Sequence, residues 1–301
     1  MDFRQLLAFE AVVEHRSFTR AAESLYLTQP AITRQIAALE HSLKTRLFER
    51  MGRLVQLTPS GEKLHLYALE ILRLSNEAEQ VVGDVETGKS GRLAVGANST
   101  TAAYFLPQRL RRFRESYPGV ELSVHTGASS KVAEMALSGL VDVGIVTGYK
   151  EQSGVVAIPL TEFETGVVVY PEHELATRKN GEKEGIRAEE LSGYPLILME
   201  SGANLRTYVD RLLLSVGVEP RVTMELDNVE AIKKMIEARH GISLLPLVSL
   251  EAEVETGRLV VLKLSETPHS QRRVTAIYRQ DKYLTASLKS FLVILQSDSL
   301  D

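Results

Sequence analysis

Apolar residues recur at Leu6, Phe9 and Val13, then at Phe18, Ala21, Ala22 and Leu25, then at Ile32, Ile36, Leu39 and Leu43. Each set has the three- and four-residue spacing of one helix face, so three short amphipathic helices open the chain. Ser17 stands where a cap of the second helix belongs, and Thr28 where a cap of the third belongs, with Pro30 tolerated in its first turn. A tight turn joins helices two and three. With Ile32, Ile36 and Leu39 turned inward, the opposite face of the third helix carries Gln29, Thr33 and Arg34, with Gln35 beside them. Short alternation around Gly52, from Arg46-Leu47-Phe48-Glu49-Arg50 to Leu54-Val55-Gln56-Leu57, predicts a two-stranded wing.

Thr58 as cap and Pro59 as first helical residue open a further helix, with Glu62 in its first turn to complement the macrodipole, running to about Glu86. Leu64, Ile71, Ala78 and Val85 repeat every seven residues, and Tyr67, Leu74 and Val81 do so three positions later. Such an a/d seam predicts that two chains pair along this helix. The other reading is that the stripe docks on the C-terminal part of its own chain. Small and polar residues at Thr87-Gly88-Lys89-Ser90-Gly91 mark a hinge.

Beyond the hinge, short apolar runs alternate with helical patterns. Strands are expected at Arg92–Gly96, Val120–Val124 and Val141–Val146, with helices marked by Leu106, Leu110 and Phe113 and by Val132, Met135 and Ala136. A second series has strands near Gly166–Tyr170, Pro195–Met199, Val222–Leu226, Gly241–Leu245 and Leu259–Leu262, with helices near Asn204–Ser215 and Asn228–Arg239. A strand at Arg272–Tyr278 and a helix at Tyr283–Leu295 close the pattern. This βαβ alternation predicts α/β architecture with a mainly parallel sheet and right-handed crossovers. The expected divisions are 1–58, 59–87, 88–91 and 92–301.

Composition narrows the classes. The 301 residues, 44% hydrophobic and 25% charged, suit about two folded domains. The opening Met1-Asp2-Phe3-Arg4-Gln5 is too polar for a secretory core, and no apolar run approaches a membrane span, so the expected location is the cytoplasm and no membrane partner is expected. The absence of cysteine removes disulfides, thiolate nucleophiles and cysteine-ligated zinc. Residues 1–65 hold 9 Lys/Arg against 7 Asp/Glu, within a chain whose net charge is -4. Only the N-terminal part suits a phosphate backbone, although many small domains carry such a balance with no polyanion partner.

The exposed face of helix three has the chemistry of base reading. Gln can pair bidentately with adenine, Arg with guanine, and a Thr methyl can meet the thymine methyl, in a groove wide enough for a helix. Thr28 and the helix start would hold a phosphate, and Arg50 and Arg53 would flank the groove. Taken singly, each arginine reads as a solvated surface charge.

Taken together, Ala21-Ala22-Glu23-Ser24-Leu25, Thr28-Gln29-Pro30-Ala31-Ile32-Thr33-Arg34-Gln35-Ile36, Leu39-Glu40, Leu47-Phe48-Glu49-Arg50 and Leu57-Thr58-Pro59-Ser60-Gly61 resemble the N-terminal signature of LysR-type transcriptional regulators. The resemblance implies a winged helix-turn-helix with helix three as recognition helix. It carries base or phosphate contact onto Gln29, Pro30, Thr33, Arg34, Arg50 and Arg53. It further implies a dimerising linker helix, a homotetramer on double-stranded DNA, and two C-terminal α/β subdomains (92–162 with 268–301, and 163–267) similar to periplasmic solute-binding proteins.

Ligands of open α/β sheets bind beyond the carboxyl ends of strands. The residues placed there are Asn98, Ser99, Thr100 and Thr101, Ser129 and Ser130, Thr147, Ser201, Asn204, Arg206 and Asn228. Each reads as a helix cap when taken alone, and the cluster reads as an effector cleft. By resemblance, Ser99, Thr100, Ser129, Thr147, Ser201 and Asn228 line it. The family usually has glycine where this chain has Arg239, so a left-handed backbone there would carry strain. Arg239 and His240 either face the cleft, favouring an anionic effector, or are surface charges, and Thr177–Arg187 reads as a surface loop longer than usual for the family. No G-x-S-x-G, phosphate-cradling glycine loop or metal-binding H-x-x-x-H occurs, so no enzyme and no cofactor is expected. A transport solute-binding protein would account for the C-terminal part alone. The expected function is a regulator whose small-molecule effector alters DNA bending and contact with RNA polymerase on an interrupted palindrome.

Overall fold

The structure, a computed structural model, describes residues 1–51, 54–87, 90–177, 185–264 and 271–297, without the side chains of 50, 51, 54, 76, 77, 80, 81, 83–87, 90 and 271. The chain divides into two compact units, Met1–Glu86 and Thr87–Asp301. Expectations that rest on Gly52, Arg53, Gly88, Lys89 and 178–184 of the surface loop, or on the side chains of Arg50, Val81 and Val85, lie outside the described residues.

In the first unit, helix α1 (Phe3–His15) starts at a capping box in which the Asp2 carboxylate accepts from Gln5 N at 2.9 Å. Helix α2 (Phe18–Ser24) is capped by Ser17, and helix α3 (Gln29–Leu43) follows a turn in which Tyr26 has a φ of 55°. Thr28 occupies the cap position of α3 but makes no side-chain cap bond, unlike the expectation. Pro30 has no N–H at the second helical position, and Ala31 N donates to the Thr28 carbonyl at 2.9 Å. Strands β1 (Phe48–Met51) and β2 (Leu54–Leu57) pair antiparallel as the wing. The long helix α4 (Pro59–Thr87) is capped by Thr58, whose Oγ1 accepts from Gly61 N at 3.0 Å and donates to Arg46 O at 2.7 Å.

The core of this unit collects Phe9, Val12, Ala21, Ile32, Leu39, Leu47 and Ala68, all fully buried, and Phe48 packs its ring 5.2 Å from Phe9 and 5.8 Å from Phe18. Glu40 ties α3 to the wing by accepting from Leu47 N at 2.8 Å. Position 61 requires glycine, because a Cβ there would sit 2.2 Å from Leu47 O.

The second unit runs β3 (Ser90–Ala97), α5 (Ser99–Tyr104), α6 (Leu106–Ser116), β4 (Gly119–Thr126), α7 (Ser129–Ser138), β5 (Val143–Thr147), β6 (Val155–Val169), α8 (Glu174–Thr177), β7 (Leu196–Met199), α9 (Asn204–Ser215), β8 (Val222–Leu226), α10 (Val229–Glu237), β9 (Ser243–Pro246), α11 (Glu251–Glu255), β10 (Val260–Leu262), β11 (Gln271–Arg279) and α12 (Ala286–Gln296). Among the described residues one sheet has the order β10-β6-β11-β5-β3-β4, with β9 also on β6, and β7 pairs with β8 separately.

The expected parallel character holds for β3 with β4 and β5 and for β7 with β8. It does not hold for β11 with β5 and β6, or for β6 with β9 and β10, which pair antiparallel. The reason lies in β6, which is one strand of two lobes: Val155–Glu164 pairs with β11, and Thr165–Val169 pairs with β9 and β10. Lobe I is built around Phe113, Val143, Ile145, Val274, Ala276 and Phe291, and lobe II around Val167, Val169, Leu196, Leu213, Ile232 and Leu245.

Candidate nucleic-acid interface and effector cleft

Helix α3 turns Ile32, Ile36 and Leu39 into the core and leaves Thr28, Gln29, Pro30 and Arg34 exposed, with Thr33 and Gln35 partly so. Thr33 Oγ1 donates to Gln29 O at 3.0 Å, which uses the hydroxyl proton within the helix. Gln35 Oε1 is buried without a partner, so the amide is turned inward at its oxygen. Among the described residues Arg34 makes no ion pair or hydrogen bond, which leaves the guanidinium free for an external acceptor. Beside the wing, the described part of β1 lies across a groove lined by Thr33, Ala37, Arg46 and Glu49.

On α4 the predicted seam divides. Leu64 is half-buried against the core of its own unit, whereas Tyr67 is 71% exposed, Leu74 52% and Ile71 38%, with Ala78 exposed in line with them. The first seam position is therefore spent inside the winged unit. Leu66 and Val82 are further exposed apolar residues on this helix.

In the second unit, a cavity of about 310 Å³ lies between the lobes. Of the predicted residues, Ser99, Thr100, Ser129, Asn204 and Asn228 line it, as does Asn98. Thr147 stands directly behind: its Oγ1 accepts from Asn98 Nδ2 at 2.8 Å and Arg272 Nη2 at 2.6 Å, and its carbonyl accepts from Asn204 Nδ2 at 2.8 Å and Ser129 Oγ at 3.2 Å. Asn204 belongs to lobe II, so this network crosses between lobes. Thr101 is turned away, donating to Ile145 O at 2.8 Å with no exposure at all. Ser201 lies in an exposed turn outside the lining. Arg206 is likewise outside it, held by Asp210 at 2.8 Å and Glu225 at 2.7 Å, which satisfy its charge within lobe II.

Arg272, Tyr104 and Glu230 are among the lining residues that were absent from the expected set. Arg272 is only 4% exposed, and burial lowers its pKa to about 10. It stays protonated at neutral pH, has no carboxylate partner among the described residues, and leaves Nη1 without an acceptor. Tyr104 of lobe I donates to Glu230 of lobe II. Burial, reinforced by Glu230, pushes the Tyr104 hydroxyl pKa up. Burial alone would raise the Glu230 pKa, but Lys233 at 2.7 Å and Tyr104 outweigh it and hold the carboxyl below its usual range.

Arg239 has a φ of 65°, the left-handed region that favours glycine. Its guanidinium pairs with Glu172 at 2.8 Å and lies over the Tyr170 ring, away from the cleft, so it is a surface charge. No helix among the described residues is long and apolar enough to cross a membrane.

A winged helix-turn-helix with an unpaired reading face, on a chain that also carries a two-lobed α/β unit with a polar cleft, defines a DNA-binding regulator with an effector-binding domain. Residues 3–62 match the bacterial regulatory helix-turn-helix protein of the lysR family, and residues 86–299 match the LysR substrate binding domain. The chain is 31% identical over 288 residues to the HTH-type transcriptional activator CmpR of Synechocystis sp., covering 96% of this chain and 92% of that protein. It is 30% identical over 299 residues to the RuBisCO operon transcriptional regulator of Allochromatium vinosum, covering 99% and 97%. The crystal structure of full-length BenM superposes with a TM-score of 0.62 at 25% identity, covering 98% and 96%. That of full-length CbnR complexed with its target DNA superposes with a TM-score of 0.70 at 24% identity, a likeness of fold covering 98% and 99%. The chain belongs to the LysR family of transcriptional regulators. It is thus a DNA-binding regulator and no enzyme, of a family whose members bind small-molecule effectors and form oligomers.

Proposed function

We propose that two copies pair along α4 through Tyr67, Ile71, Leu74, Ala78, Val81 and Val85, and that homotetramers in the cytoplasm read an interrupted palindrome. Gln29, Thr33 and Arg34 face base edges, with Gln35 beside them and its amide oxygen turned inward, while Thr28, Pro30, Arg50 and Arg53 face phosphates. The observation that carries the switching part is the cleft, because it takes lining residues from both lobes while β6 runs from one to the other. A small anion bound there has different affinity for open and closed lobes, and that difference is what biases the bend in DNA and the contact with RNA polymerase. CbnR, similar in fold, is described as bound to its target DNA, which supports the reading of α3.

Footprinting and bend measurement on the promoter next to the protein's own gene, with and without a panel of small carboxylates and phosphates, test this. The expected result is a shortened footprint and a relaxed bend with at least one anion. An unchanged footprint and bend across the panel would sink the switching and leave DNA reading intact.

A further inference from the structure

Tyr26 stands in the turn between α2 and α3 with 97% of its surface open to solvent. Its hydroxyl has no hydrogen-bond partner among the described residues. Its φ of 55° lies in the left-handed region, where a bulky side chain is strained and glycine is not. The turn is held by its backbone: Tyr26 N donates to Glu23 O at 3.2 Å and Leu27 N to Ala22 O at 2.8 Å. The strain is therefore maintained, and the ring projects from a fixed backbone while stabilising nothing in its own chain.

Such an outlier points to a role outside the fold. Two residues on, Thr28 is exposed with its hydroxyl spent on no cap, and Gln29 and Pro30 open the reading helix beside it. Two residues of chain span at most about 7 Å, so Tyr26 is held at the start of α3. Duplex DNA carries one negative charge per about 1.7 Å of its axis, so a donor this close to a helix in the major groove meets the strand bordering that groove. The turn precedes the helix that enters the groove, which puts phosphate rather than a base edge opposite it. Tyrosine is among the side chains that donate to phosphate oxygens.

We infer that Tyr26 is a neutral phosphate contact, its hydroxyl donating to a backbone phosphate that borders the groove entered by α3. The contact is a positioning one, because it fixes the angle at which Gln29, Thr33 and Arg34 meet the bases. A neutral donor releases no counter-ion, so it adds affinity without adding salt dependence, unlike an arginine on the wing. Removing the side chain relieves the left-handed strain, so stability and DNA affinity should move in opposite directions at this residue. This inference rests on the reading of α3 proposed above for the place of the contact.

The test titrates the full-length parent, Tyr26→Phe and Tyr26→Gly with the duplex that the parent footprints and with a random duplex of equal length, over a series of salt concentrations. Tyr26→Phe should weaken both duplexes alike, by about three- to tenfold for each contacting subunit, the worth of one neutral hydrogen bond. The slope of log affinity against log salt should stay unchanged, whereas loss of a charged contact lowers it by about one. A neutral methylphosphonate placed at one phosphate at a time should, at one position in each half-site, weaken the parent more than Tyr26→Phe. Tyr26→Gly should lose as much affinity as Tyr26→Phe and keep or raise the urea midpoint. Parent affinity of Tyr26→Phe for both duplexes would overturn the inference. So would a loss confined to the footprinted duplex, which makes Tyr26 a base reader, or a loss in Tyr26→Gly alone, which makes the ring and not the hydroxyl the contact. Lower transcription with unchanged DNA affinity would assign the side chain to a protein partner and overturn it as well. A parent that binds both duplexes equally, with the Tyr26→Phe loss intact, removes base reading by α3 and keeps this contact.

Discussion

Arg272 Nη2 and Asn98 Nδ2 donate to the same oxygen, Thr147 Oγ1, at 2.6 and 2.8 Å. Thr147 has no solvent exposure, so Arg272 Nη2 depends on that hydroxyl, while Asn98 Nδ2 has a second acceptor in Ser129 Oγ at 3.0 Å. Thr147→Val keeps the shape and removes the acceptor of the charged Arg272 Nη2 and of one of the two Asn98 amide N–H groups. The expected loss is about 2–4 kcal/mol, whereas Thr147→Ser should stay within about 1 kcal/mol of the parent. Thermal unfolding followed by circular dichroism checks both, and a valine variant as stable as the parent would refute the dependence.

Gly61 lies at the first turn of α4, where the helix passes the wing. A Cβ there would stand 2.2 Å from Leu47 O and 2.8 Å from Leu57 Cδ2. Backbone cannot rotate away as a side chain can, so Gly61→Ala should cost about 1–3 kcal/mol despite the better helix propensity of alanine. Urea unfolding of the two proteins measures it. A more stable alanine variant would mean that the helix start shifts freely.

Helical spacing was legible in α3, where the inward set Ile32, Ile36 and Leu39 is the buried set, but not in the short helices α5, α8 and α11, which hold too few turns to show a period. The linking strand was not legible either. Val155–Thr161 is apolar without alternation and contains Pro159, which argues against a central strand. The structure accommodates it with a register shift: Thr161 pairs with Val274 and Pro159 with Thr275, leaving Leu160 over. Arg272 was hidden for another reason. Gln271-Arg272-Arg273 reads as a solvated strand start, yet Arg272 is in phase with Val274 and Ala276, both fully buried. Period two was the available signal, and a charge in phase with a core face was the anomaly to follow. Arg206 and Thr101 misled because capping types at strand ends look alike whether they turn toward the cleft or, as here, toward a carboxylate or a carbonyl.

His173 is buried between Tyr170 and Tyr194, with ring centroids 5.0 and 5.1 Å away. Burial lowers its pKa from 6.5, with Glu174 opposing. Below pH 6.5 the unfolded chain takes a proton that the folded chain refuses, so stability is full above that pH and falls as pH drops through the lower folded value. His173→Asn keeps an acceptor for Leu175 N, which Nδ1 serves at 3.2 Å, and cannot titrate. Urea midpoints at pH 7.5 and 5.5 should fall further in the parent than in the variant. Equal falls would assign the acid loss elsewhere.

Arg34 is exposed on the reading face, so Arg34→Ala removes no contact within the described residues and should leave Tm unchanged. Specific affinity should drop by about 1–3 kcal/mol, with discrimination relaxed at one base pair. Titration of footprinted and random duplexes at one salt concentration separates the outcomes. Equal losses on both would make Arg34 a phosphate contact only.

Leu74 is half-exposed on α4, in line with Tyr67 and Ile71. A glutamate at that position meets water in a single chain, so Leu74→Glu should fold normally and preserve the melting of the winged unit. In a paired seam the same carboxylate would be buried against its symmetry mate, and two unpaired charges in an apolar interface cost several kcal/mol. The variant should therefore run as a monomer at concentrations where the parent is oligomeric, and it should bind half-sites weakly and without cooperativity. Leu64→Glu is the contrasting case, because Leu64 packs in its own winged core and its loss should unfold that unit rather than separate chains. Light scattering that finds Leu74→Glu in the parent's oligomeric state would rule out pairing along this face, whatever the melting curves show.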